Sequence, residues 1–586
     1  MKDFFKFTFA SVLGVVLAGI IFTIIGIVSL VGMVASSDTE TKVQENSILC
    51  LNLEGLLSER VEENPIMDLM GEKFASYGLD DILSSIQKAK DNENIKGIYL
   101  QPGVFAAEYP SLEEIRKALS DFKESGKFIV AYADQYTQEM YYLASVADKI
   151  IVNPQGSIAL HGLASQAMFY TDLMKKLGIE MQIFKVGTYK AAVEPFIATE
   201  MSDANREQIS VYLNSVWERT LEDISESRNI SMEKLNQYAD NMMDLKMAEE
   251  YVACGLADTL LYQDGVLDYL KTMIGCEKDE NLRTLSIEDM KNVKRNIPLD
   301  KSGNIIAVYY AFGEIDASIP SNEGINPEKV INDLRKIRED ESIKALVFRV
   351  NSPGGSAYGS EQIWREIVLM REKKPVIVSM GDYAASGGYY ISCAADCIVA
   401  NPTTLTGSIG IFGMFPNFDG LLNDKLGLHF DIVKTNKFAD LGSRNRPFNE
   451  GEKEILQNYI NNGYELFVKR CADGRGMSTE AIKKIAEGRV WTGAAAKELG
   501  LVDELGGLDK ALEIAAQKAE VDSYSVINFP SPENPILSLL NNSKEDYIQG
   551  QISNTMGEYY DYIKFIQNMK DMDHIQARMP FILNIH

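Results

Sequence analysis

The sequence predicts an α/β protein: an N-terminal transmembrane helix, then two tandem copies of one domain, each a mostly parallel sheet with helices packed on it. Three observations carry that expectation. The chain contains an internal repeat at an offset of 248 residues, each copy alternates β-rich runs with helical patterns, and an uncharged run lies near the start. With 586 residues there is enough chain for two or more domains with full cores.

The elements follow in chain order. After Lys2 and Lys6, the run from Phe7 to Ser37 carries no charge. About 20 apolar residues cross a bilayer as a helix, whereas a cleavable signal peptide has a shorter apolar core of about 7–15. Residues 1–38 therefore read as a cytoplasmic stub with an uncut anchor. The lysines ahead of the span and the acidic body behind it put the N-terminus in the cytoplasm and the body outside.

The repeat comes next. LDDILSSIQKAKDNENIKGIYL near residue 80 aligns with PEKVINDLRKIREDESIKALVF near residue 328. Ile82 and Ile86 in one copy, and Val330 and Leu334 in the other, recur at helical spacing ahead of a β-rich run. FIVAYADQYTQEMYYLASVADKIIVNP then aligns with VIVSMGDYAASGGYYISCAADCIVANP, each reading as a buried strand, a loop, a helix and a second strand. LMKKLGIEMQIFKVGTYK aligns with LNDKLGLHFDIVKTNKFA, and AEEYVACGLAD with AAKELGLVD. The repeats cover residues 45–262 and 303–507, which sets domains at 39–290 and 291–525. The polar stretch 275–302 reads as a linker, and residues 526–586 as a tail outside the repeat.

Composition excludes several classes. Hydrophobic residues make up 46% and charged residues 24%, the balance of a globular chain. A net charge of −26 with no basic stripe rules out a nucleic-acid partner. Six cysteines lie scattered without metal-ligand spacing, so neither a metal site nor a cofactor is expected.

Two features of the second copy have no counterpart in the first. The loop VNSPGGSAYGS has paired glycines where the first copy has QPGVFAAEYPS, and GDYAASGG stands where the first copy has ADQYTQEM. Ser386 thus aligns with Gln138. It falls between a strand and a helix, whose N-terminus favours an anion, and Gly387 and Gly388 leave room for an approaching carbonyl. The Gly387 amide, with one from Gly354 or Gly355, fits an oxyanion hole. Tight strand–helix packing would also account for those glycines. A serine nucleophile needs a base, and no histidine lies in a matching loop of the second copy. A lysine serves when burial brings its pKa toward neutrality. Lys190 sits among Tyr189, Ala191, Ala192 and Val193, and aligns with Ala439. A surface lysine is the plainer reading of that position alone. The complementary losses, lysine without serine and serine without lysine, favour the chemical one.

NSPGGS, MGDYAASGGYY, TGSIG at 406–410 and GTYKAAVEPF, in that company, resemble the long form of the signal peptide peptidase A (protease IV) family. The likeness covers the anchor, both repeats and much of the tail. It implies a Clp-protease/crotonase-like fold in each half and a serine–lysine dyad of Ser386 as nucleophile and Lys190 as general base. It also implies that Ser408 holds the lysine amine. Its further implications are a homotetramer on the outer face of the bacterial inner membrane, the catalytic body on the periplasmic side, and peptide substrates, namely signal peptides left after secretion. Two other readings stand beside it: an acyl-CoA enzyme using only the glycine oxyanion hole, and a non-catalytic membrane scaffold. The anchor opposes the first, because coenzyme A thioesters are cytoplasmic, and the intact serine and lysine motifs oppose the second.

Overall fold

The computed structural model describes residues 6–8, 13–19, 21, 40–61, 76–277, 279–294, 300–318, 324–531 and 574–579. Most of the expected anchor lies outside the described residues, and among them no helix is long and apolar enough to cross a membrane.

Each copy of the repeat builds its own sheet. In the first, parallel strands run in the order Ser76–Gly78, Ser47–Ser58, Ile95–Ala106, Phe128–Tyr136, Lys149–Ile158 and Thr259–Leu260. In the second the order is Val490–Thr492, Leu405–Gly407, Val376–Ala385, Ile343–Ser352, Ile305–Phe312 and Ser525–Phe529. Only the pairing of Leu405–Gly407 with Val490–Thr492 is antiparallel in this second sheet. Central strands read as near-continuous apolar runs because helices cover both faces of a parallel sheet. Ile129 to Ala133 are all buried, as are Val376 to Gly381. The helices Leu79–Asp91 and Pro327–Glu339 bury Ile82 and Ile86, and Val330 and Leu334, as their spacing requires.

Three departures from the sequence reading matter. The stretch 275–302 is not a bare linker: Thr284–Leu285 pairs with Ile48–Leu49, and the helix Ile287–Lys291 buries Ile287 and Met290 against the first core. Ser286 caps that helix with a capping box, a signal masked by the surrounding charge. The boundary at 525 falls at the start of a strand, since Ser525–Phe529 extends the second sheet beside Ile305–Tyr309. The tail, for its part, returns a strand, Ile575–Arg578, to the centre of the molecule.

A third, antiparallel sheet joins the halves, in the order Gly354–Ser356, Ile575–Arg578, Phe412–Asn417 and Glu180–Lys185. Glu180–Lys185 belongs to the first copy and pairs over its whole length with Phe412–Asn417 of the second. The loop that follows Lys185 is thereby laid against the second half. Buried polar contacts fix the same junction. Asp382 Oδ1 accepts from Ser111 N at 3.0 Å and Ser111 Oγ at 2.7 Å, while Glu113 accepts from Thr403 Oγ1 at 2.9 Å.

Candidate active site

Ser386 closes the strand Val376–Ala385 and caps the helix Gly387–Ser392. Its φ is 55° and ψ −111°, backbone that side chains rarely adopt and that costs about 1–3 kcal/mol. Two bonds hold it there: Ser386 N donates to Gly407 O at 2.8 Å, and Ser386 O accepts from Tyr390 N at 2.8 Å. Ser408 also has a positive φ, 51°, and donates its N–H to Arg489 O at 2.7 Å.

Lys190 arrives from the first half on the loop that follows Glu180–Lys185. Its Nζ lies 2.8 Å from Ser386 Oγ, 3.0 Å from Ser408 Oγ and 3.1 Å from Ser408 O. The lysine and both serines are wholly buried. Burial alone drives the lysine pKa well below its ordinary value. These three partners suit a neutral amine: two N–H groups donate to Ser408 Oγ and O, and the lone pair receives the Ser386 hydroxyl proton.

Glycines make room for this side chain. A Cβ on Gly410 would stand 3.3 Å from Lys190 Cδ, and one on Gly488 (φ +80°) only 2.7 Å from Lys190 Cβ and from its backbone N. Gly488→Ala should therefore push the lysine stem off Ser386 and lower kcat about 100-fold with KM little changed, read by steady-state kinetics on a peptide. An unchanged kcat would show that the loop yields without moving the amine. Neighbours of Gly488 complete the clamp. Tyr189 N donates to Glu487 O at 3.0 Å, and Arg489 Nη1 donates to Tyr189 Oη at 3.1 Å. The same guanidinium lies 4.7 Å from the Tyr189 ring centroid and 4.6 Å from that of Trp491. Sequence reasoning did not single out Gly488 or Arg489. Their only signal is a Gly-Arg pair between a helix and a β-rich run.

Gly387 opens its helix, so its N–H has no acceptor within that helix. Gly354 (φ 102°) lies against it, since a Cβ there would come within 2.7 Å of Gly387 N. Gly354 donates its own N–H to Ser352 Oγ at 3.2 Å. Gly355 (φ 151°) faces elsewhere, its missing side chain leaving space for the backbone of Ile315. Of the two glycines, Gly354 is the one that adjoins Gly387. Among the described residues no group of three or more His, Cys, Asp or Glu side chains could hold a metal.

Comparison with known proteins gives this geometry a context. The model of "Peptidase family S49" matches residues 121–276 and 369–522, one segment in each half. The chain belongs to peptidase family S49. It is 37% identical to "Protease 4" of Salmonella typhi over 86% of this chain and 83% of that one. To "Protease 4" of Haemophilus influenzae it is 34% identical, over 93% and 91%. "Serine protease SPPA, chloroplastic" of Arabidopsis thaliana is 32% identical over 92% of this chain and 79% of that protein. The chain is thus a serine protease, and its two copies are two S49 units.

Proposed function

We propose that the enzyme hydrolyses peptides with Ser386 as nucleophile and Lys190 as general base and acid. The observation that carries this reading is the 2.8 Å contact between a fully buried lysine amine and a serine hydroxyl held at a strained strand–helix junction. Neutral Lys190 takes the Ser386 proton as Oγ attacks the peptide carbonyl. Negative charge develops on the carbonyl oxygen, where the Gly387 amide stabilises it and the adjoining Gly354 amide joins it on leaving Ser352 Oγ, at about 3–4 kcal/mol per donor. The lysine ammonium protonates the leaving amine, and water then repeats the cycle on the acyl-enzyme. Ser408 keeps the amine aimed at Oγ through both of its oxygens. No metal or cofactor enters the scheme.

Each half reads as a Clp-protease/crotonase-like unit, consistent with its parallel sheet and flanking helices. The substrates in this reading are cleaved signal peptides and other apolar peptides, met outside the cytoplasmic membrane. Anchoring in the bacterial inner membrane rests on the uncharged run from Phe7 to Ser37, and assembly into a homotetramer rests on family likeness.

A fluorophosphonate probe tests the assignment. It should label the wild-type chain on Ser386, and Ser386→Ala should lose both the label and about 10⁶-fold in kcat. Labelling at another serine, or full activity in Ser386→Ala, would overturn the reading. An acyl-CoA enzyme working through glycine amides alone would take no label at all.

A further inference from the structure

Lys190 stands on a loop, yet its amine has to meet Ser386 Oγ with the precision of a rigid element. The loop covers residues 186–202, between the strand Glu180–Lys185 and the helix Asp203–Arg228, and holds only the short helix Glu194–Ile197. A lysine side chain is a flexible stem, so its aim depends on a fixed peptide unit behind it. What fixes that unit is a chain of polar side chains, Glu194, Asn205 and Gln208, all three buried.

The chain starts at the Glu194 carboxylate. Its Oε1 accepts from Ser202 Oγ at 2.5 Å, and its Oε2 accepts from Asn205 Nδ2 at 2.9 Å and from Ser202 N at 3.3 Å. Asn205 Oδ1 then accepts from Gln208 Nε2 at 3.1 Å. The same Nε2 donates to Tyr189 O at 3.2 Å, and Gln208 Oε1 accepts from Val490 N at 3.3 Å. Both ends of this last carboxamide matter to the dyad. Tyr189 O belongs to the peptide bond that leads into Lys190, and Val490 follows Arg489, whose carbonyl oxygen accepts the Ser408 N–H. One side chain of the first half thus ties the root of the lysine to the strand of the second half that backs Ser408.

Polarity passes along the chain in one direction. A carboxylate only accepts, whereas a carboxamide has a donor side and an acceptor side. Glu194 therefore makes Asn205 face it with Nδ2, which turns Oδ1 toward Gln208. Gln208 must answer that oxygen with Nε2, and its own Oε1 is left for the Val490 amide. Turned the other way, Gln208 would set its oxygen against two acceptors, Asn205 Oδ1 and Tyr189 O, and its amino group against the Val490 N–H. In a buried site such mismatches are costly. We propose that Glu194, Asn205 and Gln208 are positioning residues of the dyad, a relay in which the buried carboxylate fixes the direction of two carboxamides and the second of them holds Lys190 in register with Ser408 and Ser386. This inference rests on the peptidase reading above. None of the three contacts the reacting atoms.

The test uses the full chain and a peptide substrate. Gln208→Met keeps the length of the side chain and removes its three bonds. It should lower kcat about 100-fold with KM within about twofold, because a displaced base leaves substrate binding alone. Fluorophosphonate labelling of Ser386 needs no peptide and should slow by a similar factor. The acid limb of the kcat/KM profile should move to higher pH, since burial is what lowers the Lys190 pKa and a loosened amine meets water. Glu194→Gln should lose about tenfold in kcat, because Asn205 is then free to turn. Adding Asn205→Asp to Glu194→Gln restores an oxygen facing Gln208 and a donor–acceptor pair between the two exchanged side chains, so the double variant should regain most of that loss. These exchanges decide the matter even if Gln208→Met folds poorly. A double variant no more active than Glu194→Gln would show a role in packing alone and overturn the inference, as would Gln208→Met with the wild-type kcat and acid limb. Failure of the peptidase reading would look different: the wild-type chain itself would neither hydrolyse peptide nor take the label at Ser386, and the inference would fall with it.

Discussion

Lys190→Met should lower kcat about 10⁴-fold, close to 5.5 kcal/mol in activation free energy, while the fold stays in place. Methionine fills the same buried channel beside Gly410 and Gly488 but has no lone pair basic enough to take the Ser386 proton. Its loss of the amine's bonds to Ser386 and Ser408 is offset, because the folded protein no longer has to keep an amine neutral away from water. The sign follows from proton linkage. A lysine whose folded pKa is lowered binds fewer protons folded than unfolded, so wild-type stability from this group is full above the unfolded lysine pKa. It diminishes as pH falls toward the folded pKa. The variant lacks that pH-dependent penalty, and its thermal midpoint should vary less between neutral and alkaline pH. Activity runs the same way. Only neutral Lys190 accepts a proton, so log kcat/KM of the wild type should climb with unit slope through the depressed lysine pKa and then level off. A wild-type profile with no acid limb, or a Lys190→Met enzyme within tenfold of wild type, would remove the lysine from the mechanism.

The reason so much of this site was legible lies in the duplication. Aligning the copies sets Ser386 against Gln138 and Lys190 against Ala439, and the fold then brings the two unmatched residues to 2.8 Å. Strand–helix alternation gave both sheets because parallel strands covered by helices must be apolar throughout, and Ile129 to Ala133 are. What stayed hidden depends on contacts between segments far apart in sequence. Gly488 serves to admit a lysine nearly 300 residues away, and nothing local distinguishes it from a helix C-terminal glycine. The segment Ile575–Arg578 is only four residues long, and its strand exists because Gly354–Ser356 and Phe412–Gly413 offer it two open edges. A short run with one apolar face is too weak a periodic signal to mark a strand unaided. The same limit applied to Ile287 and Met290, two apolar residues inside a charged stretch.

Arg349→Met should cost about 3–5 kcal/mol and uncouple the halves. Arg349 lies on the strand Ile343–Ser352 with its side chain 1% exposed, and it reaches two carboxylates of the first half. Nε stands 2.9 Å from Glu59 Oε2, Nη2 3.1 Å from Glu59 Oε1, and Nη2 2.8 Å from Glu114 Oε1. Although burial opposes the charge, Glu114 and Glu59 outweigh it and keep the guanidinium protonated. The network continues toward the dyad: Asn351 Nδ2 bridges Glu59 Oε1 at 2.9 Å and Asp382 Oδ2 at 3.0 Å, and Asp382 stands four residues before Ser386. Removing the cation leaves two carboxylates 4% and 5% exposed and uncompensated, a far larger loss than an exposed ion pair would bring. Because lysine and serine come from opposite halves, a weaker junction should lower activity along with the denaturant midpoint. Adding Glu59→Gln and Glu114→Gln to Arg349→Met removes the stranded charges and should recover most of the lost stability. A triple variant no more stable than Arg349→Met would mean that side-chain packing at Arg349, rather than its charge, joins the two copies.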